Sequence, residues 1–260
     1  MSTVLKSEEP HIVVNDLTIS YGNTVIQQDL SFVINRGDIF IIMGRSGSGK
    51  STLFRSMIGL MRPAKGQVLY DGVSLWDAEP EERKIMMRKF GVLYQGGALW
   101  SSYTLAENVA LPLQEWTDLN PRRIQEIVSF NLSLVGLSGF EDYYPAEISG
   151  GMKKRAGLAR ALALDPDILF FDEPSAGLDP VSAHLLDELL IELSTSLGAT
   201  IIVVTHELAS LFAIGNNAIF LDDETRTMIA MGHPKELLAT SKDLRVTNFL
   251  TRGEGKPGRT

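Results

Sequence analysis

Short apolar runs recur along the chain at strand length, separated by stretches with helical spacing. Residues 39–43, 168–171 and 201–204 are uninterrupted apolar segments, as strands covered on both faces require. Residues 11–17 and 25–34 read as strands joined by a turn at Tyr21-Gly22-Asn23. Residues 67–70 form a short strand closed by Asp71-Gly72, residues 80–89 a charged helix, and residues 91–94 another strand. From 104 to about 164 the pattern is helical, with breaks expected at Pro112, Pro121, residues 136–139 and Pro145. Strand and helix then alternate through 168–172, 180–197, 200–205, 208–214, 218–221 and 227–230, and an amphipathic stretch at 242–250 follows. This order predicts an α/β fold: a largely parallel sheet flanked by helices, with ligands at the C-terminal strand ends. The β-rich opening and the helical middle, about residues 96–165, read as additions to that core.

A length of 260 residues and a 44% apolar content support one large core with a subdomain. No run reaches the roughly 18 apolar residues of a membrane span, and the first nine residues lack the apolar centre of a secretory signal. With no cysteine, thiolate catalysis, disulfides and cysteine zinc sites are excluded. A net charge of −8 argues against a nucleic-acid partner. Residues 253–260 have the composition of a flexible tail.

The chemistry concentrates in three places. Gly44-Arg45-Ser46-Gly47-Ser48-Gly49-Lys50-Ser51-Thr52 satisfies G-x-x-x-x-G-K-[ST] between an expected strand and an expected helix. Such a loop turns backbone N–H groups onto phosphates, while Lys50 reaches the β and γ groups and the Ser51 hydroxyl can ligate Mg²⁺. The run at 168–171 ends in Asp172 and Glu173; Asp172 can orient a Mg²⁺ water and Glu173 can polarise water attacking a γ-phosphate. Ser149 with Gly150 and Gly151 forms a capped helix start, a second anion site in the chain or an ordinary cap. One nucleotide has one γ-phosphate, so the second site suits a nucleotide held by another copy. His206-Glu207 resembles the start of a zinc helix, but position 210 is serine and the second ligand is missing.

Together these motifs, with Ser175-Ala-Gly-Leu-Asp179 and His206, resemble the ATPase subunits of ABC transporters in order and spacing over residues 11–240. The resemblance implies one ABC ATPase domain over 1–252, a P-loop NTPase core at about 11–95 and 166–240, and a helical subdomain at about 96–165. It implies ATP and Mg²⁺, with Tyr21 stacking on adenine and Gln95 touching the metal. Ser149, Gly150 and Gly151 would cover the γ-phosphate of the opposite subunit, Asp179 would be the aspartate of the loop at the subunit boundary, and His206 would contact the γ-phosphate. Each has a plainer alternative: Tyr21 as a turn residue, Gln95 and His206 as caps. The implied partners are a second copy, arranged head to tail, and a membrane permease docking near Leu99, Trp100 and Tyr103, side chains that could equally pack the helical insert. Ile148 and Met152 stand where the family more often has leucine and glutamine. The form Ser149-Gly-Gly-Met152, with Gln95-Gly-Gly-Ala-Leu99 and Arg245-Val-Thr-Asn-Phe-Leu250, is similar to ATPases of MCE-type bacterial phospholipid transporters. That implies a periplasmic MCE-domain partner and a place on the cytoplasmic face of the inner membrane. The alternatives are a transporter of another cargo, such as an amino acid, ion or lipoprotein, and a soluble non-transport ABC protein.

Overall fold

The structure is a computed structural model and describes residues 10–253. The first nine residues, and the expected tail beyond Gly253, lie outside the described residues. In chain order the strands are β1 (Pro10–Tyr21), β2 (Thr24–Asn35), β3 (Ile39–Gly44), β4 (Lys65–Tyr70), β5 (Val73–Ser74), β6 (Phe90–Leu93), β7 (Ile168–Asp172), β8 (Thr200–Val204), β9 (Asn217–Leu221) and β10 (Met228–Gly232). The helices are α1 (Lys50–Met57), α2 (Pro80–Met87), α3 (Leu105–Trp116), α4 (Pro121–Leu134), α5 (Gly150–Ala161), α6 (Pro180–Leu197), α7 (Leu208–Ile214), α8 (Pro234–Thr240) and α9 (Leu244–Leu250).

The six-stranded sheet runs β10-β9-β3-β8-β7-β6 and is parallel except where β10 returns against β9. Successive side chains leave opposite faces of a strand, so each apolar run serves two cores. Ile39, Ile41, Phe171 and Val203 join Leu105, Val109, Leu132 and Leu158 of α3–α5 on one face. Phe40, Ile42, Phe170 and Ile202 join Phe54 of α1 and Ile12, Ile19 and Leu30 of the N-terminal sheet on the other. That second sheet, β2-β1-β4-β5, is antiparallel. The helical middle therefore shares its hydrophobic cluster with the main sheet.

Because β3, β6, β7 and β8 point the same way, the residues that follow them share one edge of the sheet. The phosphate loop, Gln95, Glu173 and His206 each follow one of these strands.

Pro112, expected as a break, lies inside α3. The helix starts from a capping box, Thr104 Oγ1 accepting from Glu107 N–H and Glu107 Oε2 accepting from Thr104 N–H. It buries Leu105, Val109 and Leu113. Packing on both sides of the proline outweighs the one backbone hydrogen bond it removes. The other expected breaks fall at element boundaries, Pro121 opening α4 behind its Asn120 cap and Pro145 opening a 3-10 turn. The two-residue β5 escapes sequence reading because it is too short to show a period, and α8 is not anticipated either.

Candidate active site

A cleft of about 620 Å³ opens at that edge, lined by Gly44, Arg45, Ser46, Gly47, Gly49, Lys50, Ser51 and Thr52, and by Gln95, Asp172, Glu173 and His206. The loop takes its shape from its glycines. At Gly49, the residue capping α1, φ is 83°, and an added Cβ would lie 2.8 Å from Ile26 Cγ2. From the second sheet, buried Gln27 braces the loop, its amide donating to Ser48 O at 2.8 Å and to Asp222 O at 2.9 Å. Lys50 is buried, and its ammonium donates to the carbonyls of Gly44 and Arg45 at 2.8 and 2.7 Å. Burial lowers its pKa, while Glu173, Asp172 and Asp223 pull the other way.

The two carboxylates after β7 diverge. Asp172 is half-buried, and burial, then the Glu173 charge, raises its pKa against Arg55 and Lys50. Glu173 takes a left-handed backbone (φ 51°), with its N–H donating to Val204 O at 2.8 Å. Its Oε1 lies 2.7 Å from His206 Nδ1, while Oε2 is buried without a hydrogen-bond partner. Ser48 Oγ in the phosphate loop is likewise buried and unpartnered. A phosphate loop with a desolvated ammonium, beside a carboxylate oxygen that lacks a hydrogen-bond partner, fits a nucleoside triphosphate and its water. Ser51, Gln95 and Asp172 offer the oxygen ligands that Mg²⁺ prefers on that wall.

The remaining expected residues stand outside the cleft lining. Tyr21 ends β1, half-exposed, with its hydroxyl 3.4 Å from Arg55 of α1. Ser149 and Gly150 are exposed at the start of α5, where Ser149 Oγ accepts from Met152 N–H; Gly151 is partly covered. Asp179 is exposed and caps α6, accepting from the N–H groups of Val181 and Ser182 and from the Ser182 hydroxyl, contacts that lower its pKa.

Leu99 packs against the core, whereas Trp100 (62% exposed) and Tyr103 (39% exposed) face outward with ring centroids 6.3 Å apart. Fully buried Asn108 shapes this loop, donating to the carbonyls of Trp100, Tyr103 and Thr104 and accepting from Trp100 N–H.

Sequence reasoning missed Asn108, and it missed Phe249, which lines the cleft from α9. Arg245 holds α9 in place, pairing with Asp222 and Asp243 at 2.7 Å each, and Phe220 packs edge-on to the Phe249 ring. The amphipathic spacing of 242–250 signals a packed helix and gives no sign of what it packs against.

Fold and cleft define a P-loop nucleotide hydrolase. The family model for ABC transporters matches residues 27–176. Over 239 residues the chain is 42% identical to the "Probable ribonucleotide transport ATP-binding protein mkl" of Mycobacterium tuberculosis, covering 92% of this chain and 66% of that one. Over 243 residues it is 40% identical to the intermembrane phospholipid transport system ATP-binding protein MlaF of Haemophilus influenzae, covering 94% and 90%. The dimeric post-hydrolysis structure of the ATP-binding cassette MJ0796 with ADP and Pi superposes with a TM-score of 0.78 at 29% identity, covering 85% of this chain and 98% of that one. The chain belongs to the ABC transporter family as an ATP-binding ATPase subunit. It spans about two thirds of the length of the mkl relatives.

Proposed function

We propose that the chain is the ATP-hydrolysing motor subunit of a membrane transporter, working as a head-to-tail pair with two nucleotides between the subunits. The observation that supports this is a division within one chain. Lys50, Asp172, Glu173 and His206 line one cleft, while Ser149, Gly150 and Asp179 are exposed elsewhere. A second copy can bring the exposed set to the first copy's γ-phosphate.

In this reading His206 holds one oxygen of Glu173, and the other takes a proton as water attacks. The new bond joins the water oxygen to the γ-phosphorus, the bond to the β–γ bridging oxygen breaks, and ADP and phosphate leave. Lys50 and the loop N–H groups neutralise the phosphate charge. Ser51 and Gln95 would hold Mg²⁺, with Asp172 orienting one of its waters, and the ion would add positive charge there. Glu173→Gln keeps the shape without the base. Hydrolysis should fall by about 10²-fold or more while ATP still binds and the variant elutes as an ATP-dependent dimer. Wild-type turnover, or a monomer at saturating ATP, overturns this reading.

Transport requires a docking surface, and Trp100 and Tyr103 supply exposed aromatic anchors for a permease on the cytoplasmic face of the inner membrane. Among the described residues no helix is long and apolar enough to cross a membrane. For cargo the relatives divide between a name for ribonucleotide transport and one for intermembrane phospholipid transport, at 42% and 40% identity. Met152, the 95–99 loop and the 245–250 segment favour phospholipid, with an MCE-domain partner; the mkl match favours a ribonucleotide. Purifying the native complex decides between them. Co-isolated phospholipid and an MCE-domain subunit support the first reading. A solute-binding subunit that retains ribonucleotide, with no lipid, discards it and leaves the motor assignment in place.

A further inference from the structure

Helix α5 is fastened to three loops by basic side chains donating to backbone carbonyls. Lys154 donates to Glu173 O at 3.3 Å, Pro174 O at 2.8 Å and Ala176 O. Arg155 reaches Val135 O at 3.0 Å and Gly136 O at 3.3 Å. Arg160 reaches Ala98 O at 2.8 Å and Gly97 O at 3.0 Å, just beyond Gln95.

Lys154 is the buried member, 7% exposed, and its pKa is lowered by that burial against the pull of Glu173. An ammonium in such a place is tolerated only when it is fully hydrogen-bonded. Its three carbonyl partners span the segment that begins with Glu173, whose φ of 51° a non-glycine residue keeps only when its surroundings enforce it. From Lys153 onward α5 packs closely on Gly97: a Cβ at Gly157 would lie 2.9 Å from Gly97 O, and one at Gly97 would lie 2.9 Å from Lys153 O. The helix is therefore anchored from Lys153 onward and exposed at its start. Ser149 lies five residues, about 7.5 Å of helix rise, before Lys154.

We propose that Lys154 is a positioning residue that transmits engagement of the α5 N-terminus to the backbone of Glu173. Nucleotide bound in one subunit thereby sets the hydrolytic competence of the other. This rests on the two-subunit reading above. An anion docking at Ser149–Gly150 displaces the start of α5, and the Lys154 ammonium carries residues 173–176 with it. The Glu173–His206 contact already present in the single chain is thus adjusted when the partner's γ-phosphate docks.

The test compares Lys154→Met and Lys154→Arg in the full chain, measuring hydrolysis against ATP concentration, equilibrium binding of a trinitrophenyl-ATP probe and thermal melting. Lys154→Met should lower kcat about tenfold, leave nucleotide affinity within about twofold and bring the Hill coefficient to one, and the arginine variant should restore most of the loss. Unchanged kcat and Hill coefficient in Lys154→Met overturn the proposal, as does a wild-type Hill coefficient of one. So does a fall in both kcat and melting temperature that arginine does not rescue. A second measurement needs no change at Lys154. In the Glu173→Gln dimer, ATP should raise hydrogen-exchange protection across residues 150–161 and 173–176 together, and protection of one without the other refutes the relay. If Glu173→Gln stays monomeric with ATP, the two-subunit reading fails first. If it pairs while Lys154→Met keeps wild-type cooperativity, the relay alone fails.

Discussion

Asp172 and Glu173 are neighbours in sequence with different surroundings. Glu173 has a histidine on one oxygen, while Asp172 is set against burial and the adjacent negative charge, which raise its pKa above 3.8. The sign of the consequence follows from linkage. As pH rises past 3.8 the unfolded carboxyl releases its proton first, while the folded one retains it until a higher pH. Nucleotide-free stability is therefore lost across that interval and stays lost above it. Asp172→Asn should stabilise the nucleotide-free protein against urea at pH 7 and give no gain at pH values near or below 3.8. It should also abolish the extra stabilisation that Mg²⁺ gives in the presence of ATP, because the ionised oxygen is gone. Equal urea midpoints for wild type and variant at pH 7 would show that Asp172 is not penalised by its site. Sequence alone made the acid pair legible, but the assignment of unequal environments to the two needed the fold.

At the scale of elements, α9 shows how a short helix becomes part of a cleft. Its seven residues are too few to be stable alone, so its position depends on tertiary contacts. Val246 and Leu250 are buried in the core, and Arg245 ties the helix to Asp222 and Asp243. The Arg245 hydrogen bonds pull Asp243 down to about 2. For Asp222, burial pushes its pKa upward, but the Thr225 hydrogen bonds and Arg245 outweigh it and leave the value lowered. Asp222 also accepts from Gln27 through its backbone, and Gln27 braces Ser48, so the α9 anchor and the phosphate loop share a support. Arg245→Met should loosen α9, with about tenfold faster amide exchange across Leu244–Leu250 and weaker ATP binding as Phe249 leaves the cleft wall. Unchanged exchange there would mean that Val246 and Leu250 suffice. The amphipathic pattern announced this helix, whereas Pro112 misled because proline rules describe an isolated helix and α3 is held by burial on both sides.

For the whole molecule, the single chain gathers Lys50, Asp172, Glu173 and His206 in one cleft and leaves Ser149, Gly150 and Asp179 exposed away from it. The phosphate loop, the Asp172–Glu173 pair and the strand-to-helix alternation were determined by the sequence alone, because each is written in consecutive residues whose chemistry and spacing need no distant partner. The parallel sheet then required their loops to meet, since strands running the same way end on the same edge. Tertiary structure alone decided the bracing of the cleft, through contacts such as Gln27 to Asp222, 195 residues apart. It also decided that Leu99 turns inward while Trp100 faces solvent, and that Lys154 rather than Lys153 holds the carbonyls behind Glu173. Two adjacent lysines look alike in sequence, and only the face that packing turns inward distinguishes them.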